Sequence, residues 1–285
     1  MTSVPIRPGS VRRRWLPAVL GVAALLASTA GCATADGEHH DSPKKPGAAP
    51  SGPADPSGPS EAAGPSKGAE AARADHRLGK QVARAVRNTA RASSLIARAD
   101  GSGGRTTLVR MDQEGRCFGR HQEKGGSTDI RQLSGAFYIR VDAEAIREAD
   151  RPDWSPASIE EKVTGFAGRW MRVDPRLKAF QGLARSCDLA HLGDRLDEVA
   201  RGLEERQPDF RDLRREESVF RGKPAVKVTI PRLESVLVMS TGREPYLVRM
   251  DNGSRNRVFF GDFDARVVVG HPAAEELRSV VEFME

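Results

Sequence analysis

Between residues 33 and 77 the chain contains no Val, Ile, Leu, Met, Phe, Trp or Tyr. A stretch with nothing to bury cannot offset the entropy lost on ordering. It therefore splits the chain into a short apolar head, a polar connector and one block, residues 78–285, able to build a core. Ala, Pro, Gly and Ser dominate the connector. Residues 32–77 read as a flexible tether with an r.m.s. reach of roughly 35–40 Å.

The head is ordered like an export signal. Arg7, Arg12, Arg13 and Arg14 precede an uncharged run from Trp15 to Ala35. Its apolar centre, Leu16–Ala27, falls short of the roughly 20 residues that span a bilayer. A basic start, a short apolar run and small residues at the exit mark a cleaved signal. Leu25-Leu26-Ala27-Ser28-Thr29-Ala30-Gly31-Cys32 resembles the bacterial lipoprotein box, with Thr29 where an aliphatic residue is usual. The expectation is a signal over 1–31 and a diacylglycerol thioether with palmitate on Cys32. That anchor would place the protein on the extracytoplasmic face of the cell membrane. A retained membrane helix, or a plain signal cut elsewhere, is the alternative. Arg12-Arg13-Arg14-Trp15-Leu16 is similar to a twin-arginine signal, and the export route, Sec or Tat, stays open. Each acyl carbon adds roughly 0.8 kcal/mol of membrane affinity, so several chains on one cysteine hold firmly.

The formal net charge of +6 overstates how basic the exported part is, because four arginines lie in the signal and leave +2. Acid and base are interspersed from residue 78 onward, and no basic stripe with interleaved aromatics runs along the sequence. Nucleic acid is set aside as a partner.

Residues 78–285 read as a helix followed by strands. Leu78, Val82, Ala85 and Val86 have helical spacing over Leu78–Ala92. Thr106–Asp112 and Cys117–Arg120 flank a turn at Gln113-Glu114-Gly115-Arg116. Gly135–Asp142 alternates, with Phe137, Ile139 and Val141 on one face. Ser155 and Pro156 open a helix through Val163. Trp170–Val173 reads as a short link, and Pro175–Gly202 as two short helices. Phe210–Val219, Ala225–Ile230, Ser235–Ser240, Tyr246–Asp251, Arg257–Phe263 and Ala265–Val269 form an antiparallel meander, and Pro272–Glu285 closes as a helix. Helices on an extended antiparallel sheet make an α+β domain.

Several stations along this block resemble actinobacterial envelope lipoproteins of the LolA/LppX/LprG kind. They are Gly135-Ala136-Phe137-Tyr138-Ile139-Arg140, Gly168-Arg169-Trp170-Met171-Arg172-Val173, Arg221-Gly222-Lys223-Pro224-Ala225, Gly242–Arg249, and Phe260–Val267 followed by His271-Pro272. The abundance of Arg over Lys, with much Ala and Gly, suits a GC-rich genome. The resemblance covers most of 78–280. It implies a strongly bent antiparallel half-barrel with helices in its concave face. In several relatives the space between sheet and helices holds acyl chains, and no catalytic residues come with the family.

Cys117 and Cys187 remain once Cys32 goes to lipid. Outside the cytosol two leftover cysteines usually pair, and the alternative is two buried thiols. Phe137, Ile139, Val141, Val226, Val228, Ile230, Val236 and Val238 supply an apolar concave wall. Two functions fit it: carriage of a lipid or other apolar ligand in the cup, or a non-enzymatic interaction or sensory-accessory role with a filled core and an envelope protein as partner. No cofactor, metal or enzymatic activity is expected. His39, His40 and Asp41 lie in the tether, as does Ser42-Pro43-Lys44-Lys45. Asp262 and Asp264 read as turn carboxylates, Glu160-Glu161 and Glu204-Glu205 as solvated helix faces, and His121, His191 and His271 are scattered.

Overall fold

The computed structural model describes residues 67–149, 154–253 and 256–284. The expected signal, Cys32 and the tether up to residue 66 lie outside the described residues. Helix α1 runs Lys67–Ala90, so it takes in residues 67–77, which the sequence assigned to the tether. Their lack of large apolar side chains removes core burial but not helix propensity, since Ala, Arg, Glu and Lys are all strong formers. Tertiary bonds add to this. Asp75 accepts from the Leu213 backbone N–H at 3.1 Å and from the Arg206 guanidinium at 3.2 Å.

Twelve strands follow among the described residues. They are β1 (Ser94–Asp100), β2 (Thr106–Asp112), β3 (Cys117–Glu123), β4 (Gly126–Leu133), β5 (Ala136–Val141), β6 (Trp170–Val173), β7 (Arg214–Phe220), β8 (Lys223–Ile230), β9 (Ser235–Ser240), β10 (Leu247–Asn252), β11 (Asn256–Gly261) and β12 (Leu277–Arg278). The short α2 (Ala143–Arg147) and α3 (Pro156–Phe166) precede β6, while α4 (Gln181–Ser186) and α5 (Leu189–Glu205) follow it; α6 (Val280–Met284) is last. Ser155 caps α3 as expected, accepting from the Ser158 N–H.

All strands join one curved open sheet in the order β12-β6-β5-β4-β3-β2-β1-β11-β10-β9-β8-β7. It consists of two meanders, β1–β6 and β7–β11, joined where β1 pairs with β11. Neighbours are antiparallel except β12, which lies parallel to β6. The α+β class and the covered concave face are as the sequence implies.

The concave face is lined by Leu95, Ala97, Val109, Met111, Ile130, Phe137, Ile139, Met171, Val228, Leu237, Met250, Val258 and Phe260. It is packed against Val82, Val86, Leu183, Leu192, Leu196 and Leu203 of the helices in one buried cluster. Helices α1 and α5 touch backbone to backbone at both ends of their crossing. A Cβ at Gly79 would meet the Leu203 carbonyl at 3.0 Å, and one at Gly193 the Ala90 carbonyl at 3.0 Å.

The expected strand at Ala265–Val269 is instead an extended strap. It leaves β11, donates from the Asp264 N–H to the Ser94 carbonyl at 2.9 Å, and crosses the outer face to β6. There Val269 and Leu277 pack on Leu133, Ala136, Tyr138 and Trp170. The strap pairs with strand ends and side chains instead of a neighbouring ladder, so its apolar residues imitate a strand in sequence only.

Candidate functional site

The expected wall divides in two. Phe137, Ile139, Val226, Val228 and Ile230 lie in the core cluster, with Val141 packed against it. Val236 and Val238 do not line the concave face. In the β8–β9 register Val226 opposes Met239 and Val228 opposes Leu237. Leu237 and Met239 therefore face inward, and the two valines point to the outer face. Alternation along a strand makes this a shift of one residue. The wall is not a free surface, because α1, α4 and α5 fill the space in front of it.

An open cleft of about 790 Å³ lies instead at the mouth of the cup. Its lining comes from five places: Ala90 at the end of α1, Asp112, Gln113 and Gly115 at the β2–β3 turn, Gln132 on β4, Pro175 and Arg176, and the α4–α5 corner. That corner is fixed covalently. Cys117 and Cys187 form a disulfide with Cα atoms 5.5 Å apart, tying β3 to the end of α4. The next residue, Asp188, caps α5 by accepting from the His191 N–H at 2.9 Å.

The cleft mixes polar with apolar lining residues, and three of its charged groups, Asp112, Arg176 and Asp188, have hydrogen-bond partners. Asp112 accepts from the Glu114 N–H at 3.0 Å, the Arg116 N–H at 2.9 Å and Arg116 Nε at 2.7 Å. Arg176 binds Asp174, and the side-chain and backbone hydrogen bonds it donates lower that carboxyl to about 2. Asp197 Oδ1 is buried with no hydrogen-bond partner among the described residues. Apart from Cys187 and the turn residues Gln113 and Gly115, the polar lining residues carry no periodic or motif signal in the sequence.

Elsewhere the titratable groups are tied into structure. Thr107, His121 and Glu123 form a chain, at 2.8 Å from Thr107 Oγ1 to His121 Nδ1 and 3.0 Å from Nε2 to Glu123. The order matches a nucleophile, a base and an orienting acid. The Thr107 residue is only 6% exposed, however, and His121 9%, so the chain fastens β2 to β3 where substrate has no access. Asp262 binds Arg110, Asp264 accepts from Ser93 and Tyr246, and His271 lies edge-on to Tyr138. Glu160 pairs with Arg147 and Glu204 with Arg87. Among the described residues no group of three or more His, Cys, Asp or Glu could hold a metal ion. His39, His40, Asp41 and the Ser42–Lys45 run lie outside them.

Two carboxyls away from the cleft are also perturbed. Burial pushes Asp129 up, but hydrogen bonds from Arg120 and Arg140 outweigh it and hold the carboxyl below its usual range. Asp142 is likewise pushed up by burial and brought lower by the N–H groups of Ala145 and Ser127 and the Ser127 hydroxyl. Both groups titrate lower folded than unfolded. Each thus contributes stability that is complete above about pH 4 and lost as acid drives the pH through the depressed range. The melting midpoint is expected to drop on acidification from about pH 5 to about pH 2.5, and Asp142→Asn is expected to flatten that drop. A midpoint that rises in acid contradicts this account.

No family model matches the chain, and no curated protein sequence matches it. Among solved structures, the Mycobacterium tuberculosis lipoprotein LppX is similar at a TM-score of 0.40 and 13% identity, covering 68% of this chain and 98% of LppX. A likeness of that size carries no argument about activity, and the fold class rests on the sheet described above.

Proposed function

We propose that this chain is a lipid-anchored protein of the extracytoplasmic face of a cell membrane. In this reading it is a non-enzymatic binding module that meets an envelope partner at its mouth cleft. The observation that carries the reading is the single buried cluster running from the concave wall through α1, α4 and α5. Side chains occupy the volume that an acyl chain would need. The cleft that remains open mixes Asp, Gln and Arg with Ala, Pro and Leu, the blend of polar and apolar contacts that a protein partner uses. The lipoprotein-like box ending at Cys32 supports the anchor, and a Cys117–Cys187 bridge fits an oxidising compartment.

The test is one fractionation with two chains. Wild type extracted from its own membranes is expected to carry a covalent lipid at Cys32 and no stoichiometric free lipid by mass spectrometry. Cys32→Ser is expected to leave the membrane fraction or stay unprocessed. A stoichiometric free lipid would overturn the filled-cup reading in favour of lipid carriage. A Cys32→Ser chain processed and anchored like wild type would overturn the anchor.

A further inference from the structure

The register of the sheet assembles on its outer face a pattern invisible along the chain. Arg98, Leu108 and Arg120 lie side by side on β1, β2 and β3, and Arg110, Phe118 and Arg131 on β2, β3 and β4. Each apolar residue thus sits between two arginines. Leu108 is 48% exposed and Phe118 38%. The strap covers the far side of this face, at Leu133, Tyr138 and Trp170. Its ends reach the second row at Arg110, through Asp262, and at Arg131, through the Gly270 carbonyl, while Leu108 and Phe118 stay exposed.

From β1 to β6 the outward positions hold Arg98, Arg110, Arg120, Arg131, Arg140 and Arg172 against Asp100, Asp112 and Asp129. Asp129 is shared by Arg120 and Arg140. Arg131 has its guanidinium 4.4 Å from the Trp170 ring centroid and donates to the Gly270 carbonyl at 3.4 Å. Asp112 is taken by Arg116. Asp262 pairs with Arg110, and with it counted the six arginines still outnumber four aspartates, so the face is net positive. The Arg98–Asp100 pair is solvent-exposed, and such a pair opens at little cost, whereas Asp129 is largely buried and keeps its arginines.

We propose that this outer face docks on an anionic lipid bilayer, arginines on the phosphates and Leu108 and Phe118 in the headgroup boundary. A guanidinium binds a phosphate through two parallel hydrogen bonds. Interfacial binding grows with buried apolar area and with attraction to anionic lipid together. Alternating the two within one small patch serves both terms. The docking draws its setting from the membrane location proposed above. It lays the domain against the bilayer, where the tether alone would let it range.

The test uses the full chain with vesicles of phosphatidylcholine, alone or mixed with phosphatidylglycerol. All chains carry Arg7→Gln, Arg12→Gln, Arg13→Gln and Arg14→Gln, so that the N-terminal run adds no anionic preference of its own. The phosphatidylcholine vesicles then measure the background from its apolar residues. Partitioning is expected to be stronger on the mixed vesicles and to fall with salt. Arg98→Gln with Arg120→Gln, and separately Leu108→Ser with Phe118→Ser, should each cut the anionic-specific part roughly tenfold. Arg214→Gln with Arg215→Gln, on the β7 edge, should leave it unchanged. Phe118→Trp supplies a reading that tolerates loss of the other variants to misfolding: its added emission should shift to the blue on mixed vesicles only. No anionic preference, equal loss in the β7 control, or an unshifted emission would each overturn the proposal. A chain that ignores both vesicles would point to an acidic protein as partner. Cys32→Ser leaves every one of these comparisons intact, so failure of the anchor and failure of the docking face are separable.

Discussion

Leu237→Asp is expected to leave the domain without a cooperative folded state at room temperature, whereas Val236→Lys, one residue away, is expected to fold within about 1 kcal/mol of wild type. Leu237 is 2% exposed and sits between Val228 and Met250 on the concave wall. A carboxylate there would lose its hydration with no partner in reach. That loss adds to the missing leucine packing and comes to more than about 4 kcal/mol. Against a total stability of about 5–15 kcal/mol, such a loss removes most or all of the margin. Val236 points the other way and lies opposite Asp251 in the β9–β10 register, so a lysine there meets solvent and a carboxylate. Urea titrations followed by circular dichroism read both. Should Leu237→Asp melt like wild type, the wall is wet or ligand-lined, and the filled cup is wrong.

Removing the disulfide by Cys117→Ser with Cys187→Ser is expected to cost about 2–4 kcal/mol, with chain entropy alone giving about 4 kcal/mol as an upper figure. The bridge closes a separation of 70 residues. For a domain this size the melting midpoint should fall by roughly 5–15 °C. Both cysteines are almost fully buried, Cys117 at 0% and Cys187 at 1% exposure. A mild reductant should therefore leave the folded protein untouched and act only once denaturant opens it. The cleft should suffer first, since the bridge is what pins the α4–α5 corner to β3. Equal midpoints for the variant and wild type would show that packing alone holds the corner.

The strands written in β-branched and aromatic residues were legible, β5 and β8 most clearly. Four strands, β1, β4, β6 and β12, were not, the last falling inside the helix expected over Pro272–Glu285. Ser94–Asp100 places two alanines and an arginine among its apolar residues, and Gly126–Leu133 has only Ile130 and Leu133 as large apolar side chains. Both are strands because neighbours on each side complete their ladders, which no local propensity reports. Trp170–Val173 reads as a link for the same reason: four residues are too few to show a period. In Ser235–Ser240 four apolar residues stand in a row, so both parities look equally buried, and only the pairing with β8 selects Leu237 and Met239 as inward. The two helices expected over Pro175–Gly202 are α4 and α5, and α5 is the longer, running unbroken over Leu189–Glu205. Gly193 and Gly202 within it mark close approach to Ala90 and Phe210 and do not end it. The cleft could not be read at all, because its lining converges from segments spread between residues 90 and 197.

The seam between β1 and β11 bears on how the molecule is made. Ile96 waits for Gly261 and Asp100 for Arg257, so the first strand to leave the ribosome lacks one neighbour until nearly the whole polypeptide has emerged. Hairpins such as β2–β3 and β3–β4 close locally and early, but joining the halves is the longest loop closure in the molecule and therefore the slow step. Until then an apolar strand edge stands open at the centre of the future sheet. Whatever carries the nascent chain must shield that edge for the entire interval.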